Sequence, residues 1–208
     1  MKNKILISIF ISFVSLSLFG QSVEITGSYG YQFGTRVDYP FGYVKAEANP
    51  QWGISAGIEV LPKLVTKLSY VSMNTALRGR DIDFTNNREL RIADLQNDWF
   101  LFGVQRYFQD GKIKPFAGTG LGFVVVSPQN INRTQFTNLD LEQRTFFAFN
   151  VEAGINYMFS ESIGFNLQGN LYFPVNYSGF YIGTGGAGLT TGATQIIGSF
   201  SGGLVVKL

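Results

Sequence analysis

Apolar and polar residues alternate along several segments of this chain, most clearly in IGFNLQGNLYF (163–173). Ile163, Phe165 and Leu167 share one parity, and Asn166 and Gln168 occupy the other. Successive side chains of a strand point to opposite sides. The segment is therefore predicted to be a strand with one apolar and one polar face.

Eight strands of this kind are predicted along the chain. Five of them alternate well, near 23–33, 52–60, 146–159, 163–173 and 196–208, and a sixth, 63–70, alternates more loosely. A seventh, 112–126, has glycines at three successive positions of one parity, 118, 120 and 122. The eighth, 97–108, is apolar on both parities, so the pattern does not assign its faces.

The predicted connections alternate between short and long. The short ones are 61–63, 109–112 and 160–162, and the long ones are about 34–50, 74–97, 127–143 and 174–193. Antiparallel neighbours joined in this way bring all short turns to one end of the sheet. The prediction is an all-β fold: a closed eight-stranded antiparallel transmembrane β-barrel with short periplasmic turns and long extracellular loops.

Composition decides which face meets lipid. Only 14% of the residues are charged, whereas about a quarter are charged in ordinary soluble domains. A soluble barrel would have to enclose rings from nearly every strand, and an eight-stranded interior is only just wide enough for side chains. The apolar faces are therefore expected to point outward into lipid.

Residues 1–20 form a separate unit. Lys2 and Lys4 precede an apolar run from Ile5 to Phe19, which ends at Gly20. This pattern predicts a signal peptide, with the barrel domain over 21–208. Without the two lysines the 16 basic residues become 14, equal to the 14 acidic residues, and this balance indicates no nucleic-acid binding.

Charged residues on the polar parity form the best candidate constellation. Buried charges persist when they are paired, so these side chains are expected to form a network in the lumen that serves as a plug or as a gate for small ions. Glu24 with Lys207 is the first expected pair, because the first and last strands must adjoin. The expected network comprises Glu24, Glu59, Lys67, Lys114, Arg144, Glu152 and Lys207.

Aromatic residues cluster at predicted strand ends, as expected for two girdles at the membrane interfaces. The candidates near the long loops are Phe33, Trp52, Tyr70, Trp99 and Phe173, and those near the short turns are Tyr107, Tyr157 and Phe159.

Nothing in the sequence indicates catalysis. The chain contains no His, the residue most often used as a general base, and no Cys. Asp81 and Asp83 resemble the start of a calcium loop, but Asn86 and Ile92 replace its required Gly and Glu. No catalytic, cofactor-binding or metal-binding residues are therefore predicted.

With its signal, its alternating strands, KPFAGTGLGF (114–123) and GSFSGGLVVKL (198–208), the chain resembles the small outer-membrane β-barrel family. That family includes OmpX, the OmpA membrane domain, opacity-type proteins and, in the Bacteroidota, PorT-like barrels. The resemblance implies a monomer in the outer membrane of a Gram-negative bacterium, in contact with lipid and lipopolysaccharide and inserted by the barrel-assembly machinery. The family usually ends in an aromatic residue, and this chain has Leu208.

Together these features predict a non-enzymatic barrel with a polar, plugged lumen. It is expected to act as a structural or surface-interaction protein, with an unknown protein partner at its extracellular loops. The alternatives are a narrow pore for small solutes or an accessory subunit of a secretion or envelope assembly, and a lipid-modifying enzyme is the least favoured.

Overall fold

The computed structural model describes residues 22–81, 88–133, 141–175, 179–183, 186–190 and 196–208. The predicted signal peptide, residues 1–20, lies outside these ranges. Among the described residues no helix is long and apolar enough to cross a membrane. The strands within these ranges are β1 (Val23–Gln32), β2 (Thr35–Tyr39), β3 (Gly42–Ala46), β4 (Asn49–Leu61), β5 (Leu64–Asp81), β6 (Glu89–Tyr107), β7 (Ile113–Gln129), β8 (Arg144–Met158), β9 (Ile163–Pro174), β10 (Gly179–Gly183), β11 (Gly186–Thr190) and β12 (Ile197–Lys207).

Eight of these strands close into a ring in the order β1, β4, β5, β6, β7, β8, β9 and β12. Every neighbouring pair is antiparallel, and β12 returns to β1 with Glu24 opposite Lys207 and Gln32 opposite Ser199. Closure leaves no strand edge without hydrogen-bond partners within the ring. The predicted eight-stranded antiparallel barrel is thus confirmed.

Short turns join β4 to β5, β6 to β7 and β8 to β9, all at one end of the barrel, which is called the short-turn end below. The turns are tight: Lys63 has φ 68° and Gly111 has φ 105°. Glycine adopts a positive φ of this size at little cost, which accounts for Gly111 in its turn. The opposite end is called the loop end.

The loop end contains more strand than the sequence predicts. The expected loop 74–97 is mostly strand, because β5 continues to Asp81 and β6 begins at Glu89. The expected loop 34–50 contains the β2–β3 hairpin. Strand β3 pairs with β5, from Ala46 opposite Leu77 to Gly42 opposite Asp81. We call β2, β3, residues 77–81 of β5 and residues 89–93 of β6 the loop-end sheet.

The faces of the ring follow the predicted parities. In β9, Phe165 and Leu167 are exposed on the outside, whereas Asn166 and Asn170 are buried inside. In β8, Val151 is exposed and points outward. Because the interior is narrow, its side chains are mostly small or polar on these strands.

The faces of β6 become clear only in the structure. Phe100 and Phe102 are exposed on the outside, whereas Trp99 and Leu101 are buried inside. The strand reads as apolar on both parities because its inner residues fill the lumen while its outer residues form part of the exposed apolar surface. Near the loop end a β-bulge in β6 leaves Ile92 without a partner in β5, between the paired residues Arg91 and Ala93. Beyond this bulge, the inward-facing residues of β6 are those of the other parity.

Candidate functional site

A hydrogen-bonded chain crosses the lumen near the short-turn end. The Tyr107 hydroxyl donates to Glu24, with 2.7 Å to each carboxylate oxygen. Asn156 Nδ2 donates to Tyr107 Oη at 2.7 Å, and Asn166 Nδ2 donates to Asn156 Oδ1 at 2.6 Å. These side chains come from β1, β6, β8 and β9, so the chain ties four strands together across the interior.

A buried ion pair lies in the same part of the lumen. Lys67 Nζ is 2.5 Å from Glu152 Oε1, and the two side chains are only 11% and 4% exposed. Lys67 also donates to Gln105 Oε1 at 3.0 Å. Gly118 faces this pair, and a Cβ there would lie 2.6 Å from Glu152 Oε1, so glycine makes the room that Glu152 occupies. We call this ion pair together with the Tyr107 chain the lower tier.

Lys207 and Glu24 do not form the pair that the sequence predicts. They are opposite each other in the strand register, but Lys207 Nζ contacts Glu59 Oε2 at 3.1 Å. The Glu24 carboxylate instead accepts a hydrogen bond from the Tyr107 hydroxyl. That prediction is wrong because a long side chain inside a narrow barrel reaches past its neighbour to another strand.

The other two expected lumen charges lie elsewhere. Lys114 lines an open cleft at the short-turn end together with Lys207. Arg144 is exposed at the start of β8, opposite Val126 near the loop end, and including it in the lumen network is wrong. Its parity points inward, but the strand begins outside the filled part of the barrel.

An apolar cluster, which we call the upper tier, lies in the lumen toward the loop end, beside the buried polar pair of Gln51 Nε2 and Ser199 Oγ, which are 3.1 Å apart. The rings of Trp99 and Tyr172 lie 4.6 Å apart between their centroids, and Trp99 is 1% exposed. The predictions of Trp99 and Tyr107 as interface aromatics are therefore wrong, since both point inward. The other apolar side chains packed in this cluster include Leu95, Leu101, Val124, Ala148 and Ile197.

Aromatic rings cover part of the outer surface as a connected row. Ring centroids are 5.3 Å apart for Trp52 and Tyr70, 5.0 Å for Tyr70 and Phe100, and 5.2 Å for Phe100 and Phe123. The row crosses the four adjacent strands β4 to β7. Of the remaining aromatic candidates, Phe33, Tyr157 and Phe159 are exposed, and Phe173 stacks on Phe149 at 4.7 Å.

Two solved structures share this architecture. The outer membrane protein OprG from Pseudomonas aeruginosa superposes with a TM-score of 0.67 at 11% identity, over 90% of this chain and 95% of that one. Neisserial surface protein A gives 0.53 at 15% identity, over 91% and 97%. No protein family and no curated protein sequence matches the chain.

The chain has the fold of a small outer-membrane β-barrel. The resemblance drawn from the sequence is thus confirmed at the level of the fold. An outer surface of exposed Phe, Leu, Ile and Val around a closed ring is also the surface that a lipid bilayer requires, because lipid rather than water is then the favourable solvent.

Beyond the apolar belt of the barrel, ion pairs hold the loop-end sheet together. Lys45 Nζ lies 2.9 Å from Glu89, and Arg78 lies 2.8 Å from Glu47 and 3.7 Å from Glu89. The Tyr43 hydroxyl donates to Glu89 at 2.6 Å. The hydrogen bonds from Tyr43 and Lys45 hold the pKa of Glu89 below its usual value, so this carboxylate stays charged and paired.

Two further acids of the loop end are also held in place. Burial alone would raise the pKa of Asp94, but hydrogen bonds from Asn130 and Arg91 lower it overall. Burial and the neighbouring Asp81 raise the pKa of Tyr39, which keeps its hydroxyl protonated and donating to that carboxylate at 3.0 Å. The sheet is therefore fixed by side-chain contacts on both of its faces.

The barrel offers little for chemistry. Among the described residues no group of three His, Cys, Asp or Glu side chains is arranged to hold a metal ion. Asp83 and Asn86 of the calcium-like segment lie outside the described residues. The Lys67–Glu152 pair is buried and Lys67 also donates to Gln105, so both partners of the pair are engaged by neighbouring side chains.

Proposed function

We propose that this outer-membrane barrel is a non-conducting, non-enzymatic scaffold that presents its loop-end sheet to a protein partner outside the cell. The observation that carries the proposal is the double closure of the lumen. The lower tier fills it with paired polar groups, and the upper tier fills it with apolar side chains. An ion crossing such a lumen would have to break a buried ion pair and then enter an apolar layer, both of which are costly.

The loop-end sheet has the properties of a binding surface. Its ion pairs pre-organise it, and a surface that is ordered before binding loses less entropy when a partner docks. Phe41 stands at the turn between β2 and β3 and is 57% exposed. Next to it the guanidinium of Arg36 lies over the Tyr43 ring, 3.9 Å from the centroid. Exposed aromatic and Arg side chains are the residue types that dominate interface energetics.

Residues 1–20 act as a cleaved signal peptide, and the mature chain is inserted as a monomer by the barrel-assembly machinery. The outward-facing aromatic rings anchor the barrel at the two membrane interfaces. Those at the outer interface are Phe33, Trp52, Tyr70 and Phe173, and those at the inner interface are Tyr157 and Phe159. Outer-leaflet lipopolysaccharide then surrounds the strands just below the loop-end sheet.

Planar-bilayer recordings test the closed lumen. The purified barrel is expected to show no conductance steps, while a porin in the same bilayer serves as the positive control. Regular steps in the wild-type protein would support the narrow pore instead. Unchanged lipid A mass spectra on deletion of the gene are expected, and a changed spectrum would favour the lipid-modifying enzyme.

Site-specific crosslinking tests the partner. A photoreactive residue at position 41 is expected to crosslink a defined protein on intact cells. The same residue at position 110, in the turn at the short-turn end, is the control and should not capture that protein. Capture from position 110 alone would indicate an accessory subunit that works from the periplasm.

A further inference from the structure

The short-turn end contains an open cleft of about 460 Å³ that neither tier of the lumen uses. It lies between the β6–β7 turn, the β8–β9 turn and the end of β12. Its lining combines positive charge with apolar surface, and the residues that matter are Lys112, Lys114, Lys207, Glu161, Met158 and Phe159.

The positive charge of this cleft is only partly balanced. Lys207 is paired with Glu59, and nearby Lys63 is paired with Asp110. Within the described part of the chain, neither Lys112 nor Lys114 forms an ion pair with a carboxylate. Two ammonium groups therefore line the cleft without a direct carboxylate contact, while the nearby Glu59 and Asp110 balance part of the charge of Lys114.

The cleft is continuous with the lipid-facing surface. Phe159 lines it and is also 61% exposed, and its ring meets that of Tyr157 at 5.5 Å between centroids. Ile113, between Lys112 and Lys114 in the chain, is exposed on the opposite, outer face of β7. An amphiphile could thus place an anionic head among the lysines while its chains stay against these apolar residues.

We propose that this cleft binds the phosphate group of an anionic phospholipid from the inner leaflet. Lysine ammonium groups bind phosphate as compact point charges, and juxtamembrane lysines attract anionic lipids. The inference requires that the barrel spans a bilayer, and it does not depend on a partner at the loop end. Loss of the lipid site would leave the conductance and crosslinking results unchanged.

Titration of the full-length barrel in neutral detergent, followed by native mass spectrometry, tests the site. The probes are short-chain phosphatidylglycerol, short-chain phosphatidylcholine and glycerol 3-phosphate. Phosphatidylglycerol is expected to bind in preference to phosphatidylcholine. The double variant Lys112→Gln/Lys114→Gln should lower its affinity about 10- to 30-fold, because each lysine near a membrane surface contributes roughly a fivefold factor.

The matched control is Arg36→Gln/Lys45→Gln, which removes two positive charges at the opposite end of the barrel and should leave lipid binding unchanged. Heat-modifiable gel migration verifies that both variants fold. Equal affinity for the two lipids, or equal losses in both variants, would overturn the site. If glycerol 3-phosphate binds as tightly as phosphatidylglycerol and with the same dependence on the two lysines, a lipid ligand is rejected. The cleft is then assigned to soluble phosphate esters.

Discussion

The two tiers of the lumen are enclosed by the same ring of strands but are stabilised in different ways. The lower tier depends on specific pairs, such as Lys67 with Glu152 and Tyr107 with Glu24. The upper tier depends on close packing around Trp99 and Tyr172. A polar network tolerates little loss, because a surviving partner is left unsatisfied, whereas an apolar cluster loses stability in proportion to the volume removed.

This difference also separates their roles in the proposed function. The lower tier neutralises the charges that the polar parity places inside the barrel. In the proposed function, the upper tier excludes water and ions from the half of the lumen that opens toward the cell surface. A barrel closed by only one of these means would be easier to open than one closed by both.

The largest effect is expected from Trp99→Ala in the upper tier. Removing a fully buried indole should lower the free energy of unfolding by up to about 5 kcal/mol, within the range of roughly 3–5 for Phe or Trp to Ala in a core. The control is Trp52→Ala, since Trp52 is exposed on the outer surface and should cost clearly less. Urea unfolding in lipid bilayers measures both. Equal costs would show that the upper tier is not a packed core.

A smaller effect is expected from breaking the buried pair of the lower tier. Lys67→Met should cost about 3 kcal/mol, within the range for a buried pair that loses one partner, because the Glu152 carboxylate is left without its counter-charge. Adding Glu152→Gln to this variant should restore part of the stability. The same urea titration reads out the cycle. A double variant less stable than Lys67→Met would contradict a coupled pair.

The partly exposed ion pair of Lys207 and Glu59 at the short-turn end provides the control for that experiment. Side chains of Lys207 and Glu59 are each 29% exposed, so water can solvate the partner that remains. Lys207→Met should therefore cost only about 1 kcal/mol or less. A cost as large as that of Lys67→Met would mean that burial does not distinguish the two pairs.

An effect between those of the two ion pairs is expected at two adjacent residues of β9 that face opposite sides. Leu167→Lys places an ammonium group in lipid and should cost about 2 kcal/mol, toward the lower end of the 2–4 known for midplane lysines, because a long side chain can extend toward the interface. Gln168→Lys faces the lower tier and should be milder. Heat-modifiable gel migration in lipid compares them. A more harmful change at Gln168 would invert the faces.

Several features of the barrel can be predicted from residues alone. The parity of Phe165 and Leu167 against Asn166 and Gln168 is a local property, because side-chain direction alternates along any strand. The short turns at 61–63 and 109–112 follow from local sequence as well. Closure then follows, because strands in lipid must pair at every edge.

Sequence patterns fail where two strands must be compared in space. Trp99 reads as an interface aromatic because both parities of its strand are apolar, and only the ring of eight strands shows which side is inside. The segment 74–97 reads as a loop because its polar residues break the alternation, yet its residues 77–81 and 89–93 pair across β3, β5 and β6 in the loop-end sheet.

The period of two along each strand is thus enough to predict the barrel, its eight strands and the faces of all of them except β6. The contacts inside the lumen come from the fold alone: Lys207 meets Glu59 instead of Glu24, Tyr107 crosses the lumen to Glu24, and the upper tier packs around Trp99 and Tyr172. Those contacts depend on the tilt and register of strands that are far apart in the chain, and no local pattern encodes either quantity.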